Sequence, residues 1–374
     1  MNLCHGSPLA EVERLRNAAW AAIGSATMDG HVRNRYWQAW TKHCLLYPEN
    51  DRGPLAPPAH VGEMLLTFAV AMREGKYGLG RQVKVQSVAV ALRSVAQKYV
   101  LDGHPDPRRA SPAQHALDLP IARILKRYDD EDPPPEPKLA IPVSTITAIA
   151  TGYHFTNRHS AVADLVVVAF FYLLRVGEYT TQSNPRPKRT IPLRKCDVRL
   201  WVSGVILDHD SSSLTTLLRA DSATVSIANT KNGTKGAFVH HFAVGGPICP
   251  VAALARRIDN LRGHPPATPL SSMSTQARRS KAISDRDITV AVRWGATSDC
   301  LLSRGYTLDR VSSHSLRAGG AMAMKLSGAT DSTIMRIGRW TSLTYLTYIH
   351  SQIGALSEGV AWKMSTCFQF QNVS

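Results

Sequence analysis

The chain has 374 residues, enough for two ordinary domains, and 44% of them are hydrophobic, so sizeable cores can form. Its 44 lysines and arginines against 28 acids leave a formal charge of +16, which points to a polyanionic partner, most often nucleic acid. The longest apolar stretch, ADLVVVAFFYLL, falls short of the roughly 18 residues of a spanning helix, so a membrane partner is not expected.

The start, MNLCHGSPLAEVERL, lacks a charged region followed by an apolar one, so no secretory signal and an intracellular location are expected. Six scattered cysteines form no C-x-x-C pair and sit at no zinc-ligand spacing, which predicts reduced thiols and no structural metal.

The first 130 residues read as an all-α domain of four or five helices: LAEVERLRNAAWAAIG, TMDGHVRNRYWQAWTKHCLLY, PPAHVGEMLLTFAVAMREG, RQVKVQSVAVALRSVAQKYVLDG and SPAQHALDLPIARILKRY. Glycines end several of them, and Pro120 interrupts the last. Trp37 and Trp40 are candidates for base stacking, with core packing the commoner role for such residues. The acidic, proline-rich run from Asp129 to Pro142 cannot continue a helix, and residues 131–142 are expected to be an inter-domain linker.

Residues 143–374 form the second predicted domain, mixed α/β. VSTITAIATGYH and SAVADLVVVAFFYLLRVGEY read as helices. CDVRLWVSGVILD, ATVSIAN and AFVHHFAV read as the strands of a small antiparallel three-stranded sheet, with Asn232-Gly233 marking a hairpin. PVAALARRIDNLRG follows, then HPPATPLSSMSTQARRSKA as a mobile basic loop. SDRDITVAVRWGATSDCLLSRG opens with Ser284 and Asp287 spaced as a capping box. SSHSLRAGGAMAMKLSG, DSTIMRIG and TSLTYLTYIHSQIGALSEGVAWKM complete the chain as helices.

In HSLRAGGAM, His314 and Arg317 lie one helical turn apart, so both are expected on one face. Two glycines follow, each costing roughly 1 kcal/mol against alanine within a helix. Their predicted use is close approach of either a neighbouring helix or a DNA backbone.

Arg175 in LLRVGEY, Lys231 in NTKNGTKG, His314 and Arg317 in H-x-x-R, Trp340 in IGRW and Tyr348 in YLTYIH occur in that order. Taken singly, each has an ordinary structural reading. Together, the order resembles the tyrosine recombinases, or phage-integrase family, and Glu178 stands where that family usually carries an acid. Bacterial members usually have G-H with the tyrosine nine residues after the histidine. Here the motif is G-R-W, with Tyr348 eight residues after Trp340, and is more similar to the recombinases of DIRS-like retrotransposons and Cryptons.

The resemblance implies a helical core-binding (SAM-like) domain and a catalytic domain clamped around duplex DNA, acting as a homotetramer on two sites. It implies a nuclear location if the host is eukaryotic. It assigns Tyr348 as the nucleophile and Arg175 and Arg317 as the clamp on the non-bridging phosphate oxygens. Lys231 becomes the general acid for the 5′-oxygen, with Lys235 as its competitor. His314 assists proton transfer, Trp340 lies at the phosphate, and Glu178 orients His314 or an arginine. Neither metal nor another cofactor is required. A DNA-binding descendant without cleavage activity and a type IB topoisomerase are the alternatives within this reading.

Overall fold

The computed structural model describes residues 30–48, 58–78, 80–109, 116–134, 138–181, 190–229, 235–273, 282–343 and 345–346. The predicted helix LAEVERLRNAAWAAIG lies outside them. The chain divides into two compact units, Met1–Pro135 and Glu136–Ser374.

The first unit contains α1 (Gly30–Cys44), α2 (Pro58–Arg73), α3 (Val85–Leu101) and α4 (Leu119–Glu131). Apolar residues at helical spacing meet in its core: Tyr36, Trp40 and Cys44 from α1, Leu65 and Phe68 from α2, and Leu92 and Tyr99 from α3. Trp40 is wholly buried, with its ring edge-on to Phe68 at 5.3 Å, so it is a core residue. Trp37 is half-buried and edge-on to Tyr99 at 6.5 Å. Pro120 does not interrupt a helix. It lies in the first turn of α4, where its missing N–H costs nothing, behind the Asp118 cap.

Described residues of the predicted linker make contacts within each unit. Asp132 accepts hydrogen bonds from the Val85 amide and from Arg73, so it caps α3 and neutralises a buried guanidinium. On the other side, Ala140 and Ile141 are buried, and the Leu139 amide donates to the Arg310 carbonyl.

The second unit is mixed α+β. Its helices are α5 (Val143–Gly152), α6 (Asn157–Phe171), α7 (Val176–Tyr179), α8 (Leu214–Leu217), α9 (Pro250–Asn260), α10 (Asp285–Ser298), α11 (His314–Leu326) and α12 (Asp331–Gly338). From Ala161 to Phe170 helix α6 is buried on every side, with only Asp164 charged, and it packs against α5, α9, α10 and α11. Ser284 and Asp287 form the capping box at the start of α10.

The sheet is antiparallel with four strands rather than three: β1 (Val198–Val202), β2 (Val205–Ile206), β3 (Ser222–Asn229) and β4 (Lys235–Phe242), in the order β2-β1-β3-β4. The single strand expected at CDVRLWVSGVILD folds back on itself. Ser203 and Gly204 both take positive φ, 48° and 79°, the geometry of a tight hairpin turn. The loop at His264–Ala282 is fixed in its first half. Arg257 donates to the Leu270 and Ser272 carbonyls at 2.7 and 2.6 Å, and Arg194 bridges to Pro269. Residues 274–281 lie outside the described residues.

Gly319 and Gly320 face protein. A Cβ on Gly319 would strike the Ile141 carbonyl, and one on Gly320 would strike the Phe170 carbonyl of α6. Gly319→Ala is therefore expected to lower stability by roughly 1–3 kcal/mol, despite alanine's better helix propensity, because backbone cannot rearrange as a side chain can. A urea midpoint equal to or above that of the unaltered chain would show that the close approach is not needed.

Candidate active site

The site begins where α6 ends. LVVVAFFYLLRVGEY carries a helical pattern throughout, yet Leu173 takes a left-handed φ of 48° and the chain breaks before restarting as α7. The break leaves the Tyr172 and Leu173 carbonyls without helical amide donors. Arginine side chains take those places.

Arg175 stands just before α7, half-buried. Its amide donates to Glu178 Oε2 at 2.9 Å, and its guanidinium lies 3.3 Å from Glu178 Oε1. Glu178 is wholly buried and is shared with a second cation: Arg339 Nη2 donates to Glu178 Oε2 at 2.8 Å. Two positive charges thus answer to one negative.

Arg339 follows α12 with a left-handed φ of 57°. Its guanidinium also donates to the carbonyls of Tyr172 at 3.2 Å, Leu173 at 3.0 Å and Ile337 at 2.9 Å. Burial holds this guanidinium below the usual arginine range; the Glu178 carboxylate opposes the shift and the Arg175 charge adds to it.

Arg317, on α11, is 1% exposed. It donates to the Leu173 carbonyl and to the Gly338 carbonyl. The Trp340 ring lies over its guanidinium, 4.1 Å from carbon to ring centroid, in cation–π geometry. Gly338 allows this: a Cβ there would collide with the folded-back indole. Tyr345 also packs against Trp340, its ring centroid 5.7 Å away and tilted by 44°. Burial, with the Asp331 carboxylate beside it, pushes the Tyr345 phenol up to about 12.

The fold therefore gathers Arg175, Glu178, Arg317 and Trp340 at one turn, from segments far apart in sequence. His314 is the first residue of α11 and is exposed, while Arg317, one turn on, is buried and turns inward to the Leu173 carbonyl. Glu178 holds two arginines, Arg175 and Arg339. Lys231 and Tyr348 lie outside the described residues. The strands flanking Lys231 are described: β3 and β4 end on the pair Asn229 and Lys235. Among the described residues no three His, Cys, Asp or Glu side chains are grouped to hold a metal, and no helix is long and apolar enough to cross a membrane.

Arg339 is the residue that motif reading misses, because Trp340 draws attention as the aromatic of the pattern. Tyr348 follows Arg339 by nine residues in the sequence.

No protein-family model matches the sequence, and neither does any curated protein. Among solved structures, the chain is similar to the Tn1549 transposon integrase in complex with transposon right-end DNA, at 13% identity and a TM-score of 0.42, over 80% of this chain and 85% of that one. It is similar to the XerH site-specific recombinase bound to a palindromic difH substrate, at 14% identity and TM-score 0.49, over 81% and 72%. It is similar also to a lambda integrase tetramer bound to a Holliday junction, at 11% identity and TM-score 0.46, over 92% and 81%. The solved structures that this chain resembles are two integrases and a site-specific recombinase.

Proposed function

We propose that this protein is a site-specific DNA recombinase of the tyrosine class, serving a mobile genetic element, that cuts and rejoins duplex DNA through a 3′-phosphotyrosine. The observation that carries the reading is the convergence of Arg175 and Arg317 on the Leu173–Glu178 turn, with Trp340 stacked on Arg317. Paired guanidiniums offer planar forks that match phosphate oxygens and stabilise the charge added in the transition state.

In the proposed reaction, the Tyr348 phenolate attacks phosphorus and the bond to the 5′-oxygen breaks. Lys231 gives that oxygen a proton, leaving a free 5′-hydroxyl and a phosphotyrosine link. His314, at the exposed start of α11, takes or returns the phenol's proton. Reversal by another 5′-hydroxyl rejoins the strand. The bond energy stays in the protein–DNA link, so no nucleotide cofactor is needed. Strand exchange is assigned to a homotetramer on two duplex sites, in the nucleus if the host is eukaryotic.

The burial of Arg317 beneath Trp340 favours a second reading, a descendant that binds DNA without cutting it. A covalent adduct on a denaturing gel separates the two. A topoisomerase would relax plasmid without recombining a two-site substrate, whereas a recombinase would recombine it.

Duplex binding itself is tested by salt. With a formal charge of +16, log affinity is expected to fall linearly with log salt, by about 0.9 for each phosphate neutralised. A flat response would remove the DNA clamp from the account.

A further inference from the structure

We propose that Arg339 is a positioning residue which, by gripping Glu178 and the Leu173 carbonyl together, locks the segment leading to Tyr348 onto the turn that carries Arg175. The inference rests on the recombinase reading and adds a part that its motif list lacks.

The backbone argues first. Arg339 holds a left-handed φ of 57°, where glycine is at ease and a side chain costs on the order of 1 kcal/mol or more. The turn closes α12, with the Trp340 amide donating to the Met335 carbonyl at 2.9 Å, and so fixes the point from which the Arg339 side chain sets out.

The side chain argues second. Its two terminal nitrogens reach four acceptors: the carbonyls of Tyr172, Leu173 and Ile337, and Glu178 Oε2. The Leu173 carbonyl also receives Arg317, and Glu178 also receives Arg175. Arg339 is therefore the common neighbour of both guanidiniums assigned to the phosphate. It stands one residue before Trp340 and nine before Tyr348. A lysine ammonium is a point donor and cannot span this set of acceptors.

The test uses the full chain and five proteins: the unaltered chain, Glu178→Gln, Arg339→Lys, Arg339→Met, and Glu178→Gln with Arg339→Met. Melting curves first select those that remain folded. Glu178→Gln is nearly isosteric, and the double variant removes the carboxylate together with its more deeply buried cation, leaving only the half-buried Arg175 without it, so neither depends on Arg339→Met folding alone. Duplex affinity and the single-turnover rate of adduct formation are then measured.

Each folded single variant is expected to form adduct about 10²-fold more slowly at unchanged duplex affinity, the cost of misplacing reacting groups by about 1 Å. The double variant should be no slower than the worse single one, because the two residues act as a unit. A folded single variant that cleaves at full rate overturns the proposal, as does a double variant in which the two losses multiply.

Hydrogen exchange of the same proteins without DNA reads the lock apart from the chemistry. Amides of 172–180 and of 334–343 should lose protection together in Glu178→Gln and in Arg339→Met. Unchanged protection overturns the lock. If the unaltered chain forms no adduct while protection falls as expected, the lock stands and the recombinase reading alone fails.

Discussion

Tyr348→Phe is expected to reduce adduct formation below detection while leaving duplex affinity near that of the unaltered chain, and Tyr345→Phe is expected to retain the adduct. The two tyrosines lie one helical turn apart in sequence, so the pair needs a decision. Structure supplies part of it. Tyr345 is wholly buried against Trp340, and its phenol is pushed up to about 12, further from the ordinary value near 10 that already makes phenolate scarce at neutral pH. A nucleophile needs the opposite shift and an open path. The rest is the proposed resemblance, in which the distance from Trp340 and the Ile349-His350 that follow match the nucleophile to Tyr348. Phenylalanine at 345 preserves the ring that packs on Trp340, so its loss of hydroxyl should cost little. Adduct lost from Tyr345→Phe alone would move the nucleophile one turn back.

Lys231→Ala is expected to slow cleavage strongly on ordinary DNA and to recover on DNA in which sulfur replaces the bridging 5′-oxygen. A departing alkoxide needs a proton. A departing thiolate does not, since thiols ionise near neutral pH, with pKa about 8.5. Arg317→Ala should lose on the order of 10²–10³-fold on both substrates, because the arginine stabilises charge on the non-bridging oxygens, which the sulfur leaves unchanged. Sulfur rescue of Lys231→Ala marks a proton donor, since a misfolded variant would not be rescued; Arg317→Ala, which removes a buried side chain, is compared only after its melting curve shows a folded protein. Sulfur rescue of Lys235→Ala in place of Lys231→Ala would make Lys235 the general acid. Lys235 opens β4 opposite Asn229, whereas Lys231 stands in sequence between the two strands, outside the described residues.

Local physics made much of this fold readable. The helices of the first unit follow apolar spacing and end near Gly75 and Gly103, both at positive φ, and the Ser284–Asp287 box marks the start of α10 where it was expected. What was unreadable depends on distant partners. Nothing in LLRVGEY announces a break at Leu173; the break is stabilised by Arg317 and Arg339, which arrive from far along the chain. Asp132 looks like linker charge until Arg73 is beside it, and Ile141 looks like linker until α11 presents Gly319 to its carbonyl. The glycine pair could be read as demanding close approach, but not by what. Motif order brought out Arg175 and Arg317, whose types match phosphate. Arg339 stayed hidden because its partners, two turn carbonyls and a shared carboxylate, are a three-dimensional set.

The most direct measurement is the chemistry of the link. Full-length protein is incubated in EDTA with duplex DNA carrying candidate element ends, then denatured, digested and mapped by mass spectrometry. The account predicts a nucleotide joined through its 3′-phosphate to Tyr348, a free 5′-hydroxyl on the released strand, and no loss of yield in chelator. A link at any other residue, a 5′-phosphate on the released strand, or cleavage that returns only with magnesium would contradict it.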